Sequence, residues 1–179
     1  MINRALVFTI ANAILFQVGW FVCVLCGSLW GGIFTLAAII FHFVIVPQRR
    51  DDMVAVVIAI ALGVLHDSLL LHSGHIQFAE SDYLPPLWLI CLWALLGITL
   101  NHSLAWIYCR PLWSALLGAI AGPLSYLAGV KLSSAEWSTP LHEVLPIIAI
   151  LWLVVLPLHR FLSLRVLSYV QRKTTKLSS

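Results

Sequence analysis

The chain has 179 residues, of which 61% are hydrophobic and only 9% charged, with a mean hydropathy of +1.01. Soluble domains carry about 25% charged and about 45–50% apolar residues, so a soluble globular domain, a disordered chain and a nucleic-acid module are excluded. The net charge of +3, from ten basic and seven acidic residues, is too small for a phosphate-binding face.

The apolar runs are continuous rather than alternating, which predicts helices and not a barrel. Six spans, each roughly 17–23 residues, match the length needed to cross about 30 Å of hydrocarbon. They use almost the whole chain, which reads as one all-α integral membrane domain over residues 1–179. The first span covers about 5–26. Asn3-Arg4 gives it the basic start of a signal peptide. The run is nevertheless as long as a membrane span, and no A-x-A-type site ends it, so it reads as a retained helix. Gly27-Ser28 breaks it, and Gly31 and Gly32 suit a tight hairpin into the second span, about 30–46. After Pro47 to Asp52 comes the third span, 53–71, and after His72 to Pro86 the fourth, 86–108. Arg110-Pro111 leads into the fifth, 111–130, and Lys131 to Pro140 separates it from the sixth, about 143–162. Pro86 and Pro111 fall at helix starts, where a missing N–H costs nothing. Trp30, Trp88 and Trp113 lie near span ends and read as interfacial anchors.

Charge placement predicts orientation. Arg4, Arg49, Arg50, Arg110, Arg160, Arg165, Arg172, Lys173 and Lys176 share one side, and only Lys131 lies on the other. Basic residues stay in the cytoplasm, so both termini are expected there, with residues 163–179 a basic cytoplasmic tail. Arg160 and Arg165 flank Phe161, Leu162 and Leu164, a partly amphipathic stretch able to lie along anionic headgroups. Glu80, Asp82, Glu136 and Glu143 then fall outside, and Asp51 and Asp52 fall inside.

Polar groups in hydrocarbon face the bundle or a water cavity. Asp67, preceded by His66, lies 14 positions after Met53, about 21 Å along its helix. Ala55, Ala59, Gly63 and Asp67 form a small-residue stripe that permits close helix approach. Span five carries a Gly118–Gly122 GxxxG pair followed by Ser125 and Tyr126 at matching depth, and Gln17 reaches a similar depth in span one. Gln17, His66, Asp67, Ser125 and Tyr126 are therefore the candidate polar site, either a substrate or proton site or a structural polar lock. His42, Asn101 and His102 form a second polar group toward the cytoplasm, suited to interhelical hydrogen bonds. His72 and His75, close to Glu80 and Asp82, have acceptable metal-ligand types. HExxH, HxxEH and multi-Cys patterns are absent, so no metal and no cofactor is assigned.

Cys23-Val-Leu-Cys26 is a CxxC at the outer end of span one. With the chain size it resembles the motif of quinone-linked membrane thiol oxidases. Those enzymes need a second outer cysteine pair and a basic residue after the motif, whereas Cys91 and Cys109 sit at opposite ends of span four and Gly27 follows Cys26.

Three segments carry a broader resemblance: Ala61-Leu-Gly-Val-Leu-His-Asp-Ser-Leu, Pro85-Pro-Leu-Trp-Leu-Ile-Cys-Leu-Trp-Ala-Leu-Leu-Gly-Ile-Thr-Leu-Asn-His-Ser, and Gly118-Ala-Ile-Ala-Gly-Pro-Leu-Ser-Tyr-Leu-Ala-Gly. With the six-span plan, the chain resembles a bacterial inner-membrane family known only as a domain of unknown function. Members are often encoded near cyclopropane-fatty-acid-synthase-like genes, which implies a link to membrane-lipid modification and supplies no catalytic residues. The Gly63-to-Asp67 segment is also similar to rod-shape membrane subunits and to substrate-binding subunits of vitamin importers. The expectation is a multi-pass inner-membrane protein, a non-catalytic transport or accessory subunit. Its partners are expected to be membrane lipids and either other membrane subunits or a small-molecule substrate, with no nucleic acid. The alternative is a membrane enzyme: a thiol oxidase through Cys23 and Cys26, or a metal-dependent lipid enzyme using His66, Asp67, His72 and His75.

Overall fold

The computed structural model describes residues 3–80 and 83–177, with side chains as far as residue 173. Asp82 and the side chain of Lys176, both read above by their charge, lie outside the described residues. Six helices and one short sheet follow in the order α1 (Arg4–Ile45), α2 (Arg49–His72), β1 (Ile76–Phe78), α3 (Leu87–Leu100), α4 (Ala105–Tyr108), α5 (Pro111–Leu132), β2 (Ala135–Trp137) and α6 (Leu141–Leu177). Helices α1, α2, α5 and α6 are long and apolar enough to cross a membrane, and α3 is a shorter apolar helix. The protein is an all-α helical bundle of membrane-protein character.

Helix α1 is bent back on itself. Gly27 sits at φ 70°, ψ −165°, a backbone region that is essentially glycine-only. A straight helix would put Cys23 and Thr35 about 18 Å apart, yet their side chains meet at 3.9 Å. A Cβ on Gly31 would lie 3.2 Å from the Cys23 Cα, and one on Gly19 would lie 2.8 Å from the Phe34 ring. Residues 4–26 and 28–45 are therefore two arms of a tight hairpin, as the Gly27-Ser28 break predicted. The Ser28 hydroxyl bonds the Glu80 carboxylate and accepts from the Trp88 N–H, which ties the hairpin tip to the loop before α3.

The fourth span does not run unbroken over 86–108. Helix α3 ends at Leu100, a turn covers 101–104, and α4 adds one turn. The His102 N–H bonds the Thr99 carbonyl instead of continuing the α-helical pattern, which frees the Ile98 carbonyl. Asn12 fills that vacancy: its Nδ2 donates to the Ile98 carbonyl at 3.0 Å, and its Oδ1 accepts from the Ser103 hydroxyl at 2.7 Å. A buried side-chain amide thus satisfies a helix end that would otherwise be orphaned. Helix α3 is largely buried from Trp88 to Leu100 and forms the centre of the bundle between α1 and α2.

Two further differences follow. The loops after α2 and α5 pair as a small antiparallel sheet, with Ile76 opposite Trp137 and Phe78 opposite Ala135. This ribbon buries Ile76, Phe78 and Ala135 and covers Trp88, which meets Phe78 edge-on at 6.2 Å and is not an exposed anchor. Trp30 and Trp113 are exposed, as an interfacial role requires. The sixth span is longer than 143–162: α6 runs through Pro146 and Pro157 and continues as helix into the tail as far as Leu177. In that continuation the Arg165 guanidinium lies over the Phe161 ring at 5.0 Å.

Glycines decide which helices meet. A Cβ on Gly97 would lie 2.6 Å from the Val56 Cα, so α3 touches the backbone of α2. Gly63 and Asp67 of the α2 stripe meet Trp93 of α3 and Ala55 meets His159 of α6, while the Gly118–Gly122 pair packs on Trp152 of α6. The glycines of the two faces therefore do not pack on each other, although the sequence offered them as partners; the faces meet where Tyr126 bonds Asp67. Without a hydrophobic drive between helices in lipid, such close approach is the main source of cohesion.

Candidate functional site

Besides the Asn12 bridge, three buried histidine-containing polar groups and an apolar groove lie within the bundle among the described residues. The first group centres on Asp67. The Trp93 indole donates to its Oδ2 at 2.7 Å, and the Tyr126 hydroxyl and His66 Nδ1 both meet its Oδ1, the latter at 2.8 Å. His66 and Asp67 are 2% and 1% exposed. With Nδ1 donating to the carboxylate, His66 Nε2 is left as a bare acceptor in the interior, and it has no partner. Trp152 stands edge-on to His66 at 6.1 Å and stacks on Trp93 at 5.2 Å and 18°. Both indoles lie where glycine makes room: a Cβ on Gly63 would fall 2.0 Å from Trp93, and one on Gly122 would fall 2.4 Å from Trp152.

The five predicted site residues therefore divide. His66, Asp67 and Tyr126 come together. Ser125 and Gln17 do not join them, because consecutive residues on a helix point about 100° apart and Tyr126 takes the inward direction. Ser125 instead accepts from the Trp20 indole at 3.2 Å, and Gln17 lies on the exposed side of α1.

Gln17, Trp20 and Ser125 border the groove. It has a volume of about 710 Å³ and lies between the first arm of α1, the C-terminal half of α3, α4, α5 and α6. Its lining is almost wholly apolar, and Trp152 forms part of the wall that separates it from the Asp67 cluster. Phe21 and Leu124, 45% and 58% exposed, flank its mouth on the outer surface of the bundle. The first arm of α1 meets α5 chiefly through the Trp20–Ser125 bond, so the groove opens sideways between those two helices.

The second group lies at the basic end of the bundle. His42, Asn101 and His102 come together as the sequence suggested, around a residue it assigned to a loop. Asp52 is 1% exposed; its Oδ2 meets His42 Nε2 at 2.9 Å and His102 Nε2 at 2.8 Å, and its Oδ1 accepts from Asn101 at 2.9 Å. Asp52 lies three residues before Ala55, one turn back on the same face of α2, which is the signal that would have found it. These two histidines and Asp52 are the one set among the described residues whose ligand atoms cluster, all within 4.8 Å. His72 and His75 do not belong to it: His72 is exposed, and His75 Nδ1 bonds the Thr139 hydroxyl at 3.0 Å.

The third group escaped the sequence reading. His159 donates through Nε2 to the Ala55 carbonyl at 2.9 Å and accepts the Tyr108 hydroxyl at Nδ1 at 2.8 Å. It joins α6 to α2 and to α4, with Arg160 over the Tyr108 ring at 5.3 Å. The cysteines do not form a dithiol face. Cys23 is fully buried beside Thr35, Cys26 is exposed, and all four cysteines are free.

No curated protein and no solved structure matches the chain. The family model described as a protein of unknown function (DUF2878) matches residues 9–158, a stretch that holds the Asp67 and Asp52 clusters and every groove-lining residue, and the chain belongs to that family.

Proposed function

We propose that this protein crosses the bacterial inner membrane six times, with both termini cytoplasmic. In this reading it is a non-catalytic accessory or transport subunit linked to membrane-lipid modification, and it takes an acyl chain or similarly apolar ligand into the lateral groove. The observation that carries the reading is the groove itself: about 710 Å³, apolar, and open on a surface studded with exposed aliphatic side chains. Binding sites for small molecules fall in this size range, with apolar walls and a few orienting polar groups. Gln17 and Ser125 are those groups here. The two arms of α1 and the α3–α4 pair supply the two crossings beyond α2, α5, α6 and a single α1. The basic asymmetry supports the orientation.

Partners in this reading are membrane lipids and other membrane subunits. A metal-dependent lipid enzyme is the second reading, favoured by the buried, unpartnered His66 Nε2 beside Asp67. Comparative lipidomics of a strain lacking the gene tests the first. The expected result is a changed fatty-acid profile, restored by the wild-type chain and not by Ala121→Trp, which fills the groove. An unchanged profile, or full restoration by the filled variant, overturns it.

A further inference from the structure

We propose that His42, Asp52 and His102 bind a divalent first-row transition metal of the Zn²⁺ and Fe²⁺ class at the basic end of the bundle. Three separate elements deliver the ligands: the second arm of α1, the first turn of α2 and the turn after α3. Two imidazole nitrogens and one carboxylate oxygen are a ligand set that such metals accept, with positions left open for water or a ligand.

The spacing fits. Six-coordinate bonds of about 2.1 Å at right angles place neighbouring ligand atoms about 3.0 Å apart, and tetrahedral ones place them about 3.4 Å apart. The two N···O separations on Asp52 Oδ2 are 2.9 and 2.8 Å. A metal held by all three needs both rings to carry their proton on Nδ1, so that the two Nε2 atoms, which lie within 4.8 Å of each other and of the carboxylate oxygen, turn their lone pairs onto it. Asn101 holds Oδ1 at 2.9 Å and leaves Oδ2 to the metal, the outer-shell support that metal carboxylates receive. The rings are fixed by neighbours: His42 and His102 meet edge-on at 5.1 Å, and Phe8 packs edge-on against His102 at 5.1 Å. Asp52 and His42 are buried, whereas the His102 side chain is 16% exposed and gives the site its opening.

The test titrates the full chain, purified in detergent and stripped with chelator, with Co²⁺ and then Zn²⁺. Visible Co²⁺ absorption and elemental analysis are the readouts. The expected result is one ion per chain, with Co²⁺ bands that Zn²⁺ displaces. Binding is lost in Asp52→Asn, weakened in His102→Gln, unchanged in His72→Gln and His75→Gln, and weakened roughly 10–100-fold in Asn101→Ala. If Asp52→Asn does not accumulate, the partly exposed His102→Gln decides. A monodisperse wild-type chain that takes up no Co²⁺, or equal uptake in His102→Gln, overturns the assignment.

Discussion

The Trp93 indole reaches the Asp67 carboxylate at 2.7 Å only because the residue one turn before Asp67 on α2 is Gly63. Helix α3 lays one of its two tryptophans across a gap in α2, and the polar tip of that side chain satisfies the carboxylate. A Cβ at Gly63 would fall 2.0 Å from the ring, so the ring must leave and the hydrogen bond goes with it. Gly63→Ala is expected to destabilise the protein by about 1–3 kcal/mol, the usual cost of overpacking. Gly129→Ala meets nothing within 4 Å and serves as the control. Thermal unfolding in detergent, followed by tryptophan fluorescence, separates the two; equal midpoints would remove the steric argument.

Asp67 itself should distinguish shape from chemistry. Asp67→Ala leaves the Trp93 N–H and the Tyr126 hydroxyl buried without their acceptor, at about 1–3 kcal/mol for each orphaned group. Asp67→Asn keeps an acceptor oxygen and most of the packing, so its unfolding midpoint should lie much closer to wild type. If Asp67→Asn accumulates normally and fails to complement a deletion strain, the carboxylate acts in function. If it complements fully, the cluster is a structural lock.

Asn12 bridges the first arm of α1 to the broken end of α3. Asn12→Leu removes the donor to the Ile98 carbonyl and the acceptor of Ser103 together. Loss of about 1–3 kcal/mol is expected, with faster amide hydrogen exchange over 101–104 and little change in α5. Uniform protection across both regions would show that the α3 break stands without Asn12.

Topology has its own test. Alkaline phosphatase fused after Tyr83 should be active, and fusions after Arg50 or Leu177 should be silent. A reversed pattern would overturn the six-crossing, cytoplasmic-termini reading.

How much of this was legible depended on whether the signal was local. Continuous apolar runs marked the helices, and Gly27-Ser28 marked the hairpin, because each feature is contained in a few neighbouring residues. The α3 break was hidden because Asn12, which satisfies it, lies 86 positions from Ile98. Asp52 falls in the Pro47-to-Asp52 break between two spans, beside Asp51 and two arginines; only its place one turn before Ala55 argues otherwise. Tyr126 was found by depth and Ser125 misplaced by the same argument, since depth fixes height along a helix and not direction around it. Trp93 and Trp152 carry no polar signature in an apolar run, and the glycines that seat them are on other helices.

The claim that the groove holds an apolar chain is tested most directly by photo-crosslinking. Membranes containing a photoreactive fatty acid are irradiated, and adducts are mapped by mass spectrometry. The prediction is that adducts concentrate on Phe16, Trp20, Leu117 and Leu124, which line the groove, and that Ala121→Trp removes them while leaving labelling of the lipid-facing Leu36 and Ile40 unchanged. Equal labelling of groove and outer faces, insensitive to Ala121→Trp, would contradict it.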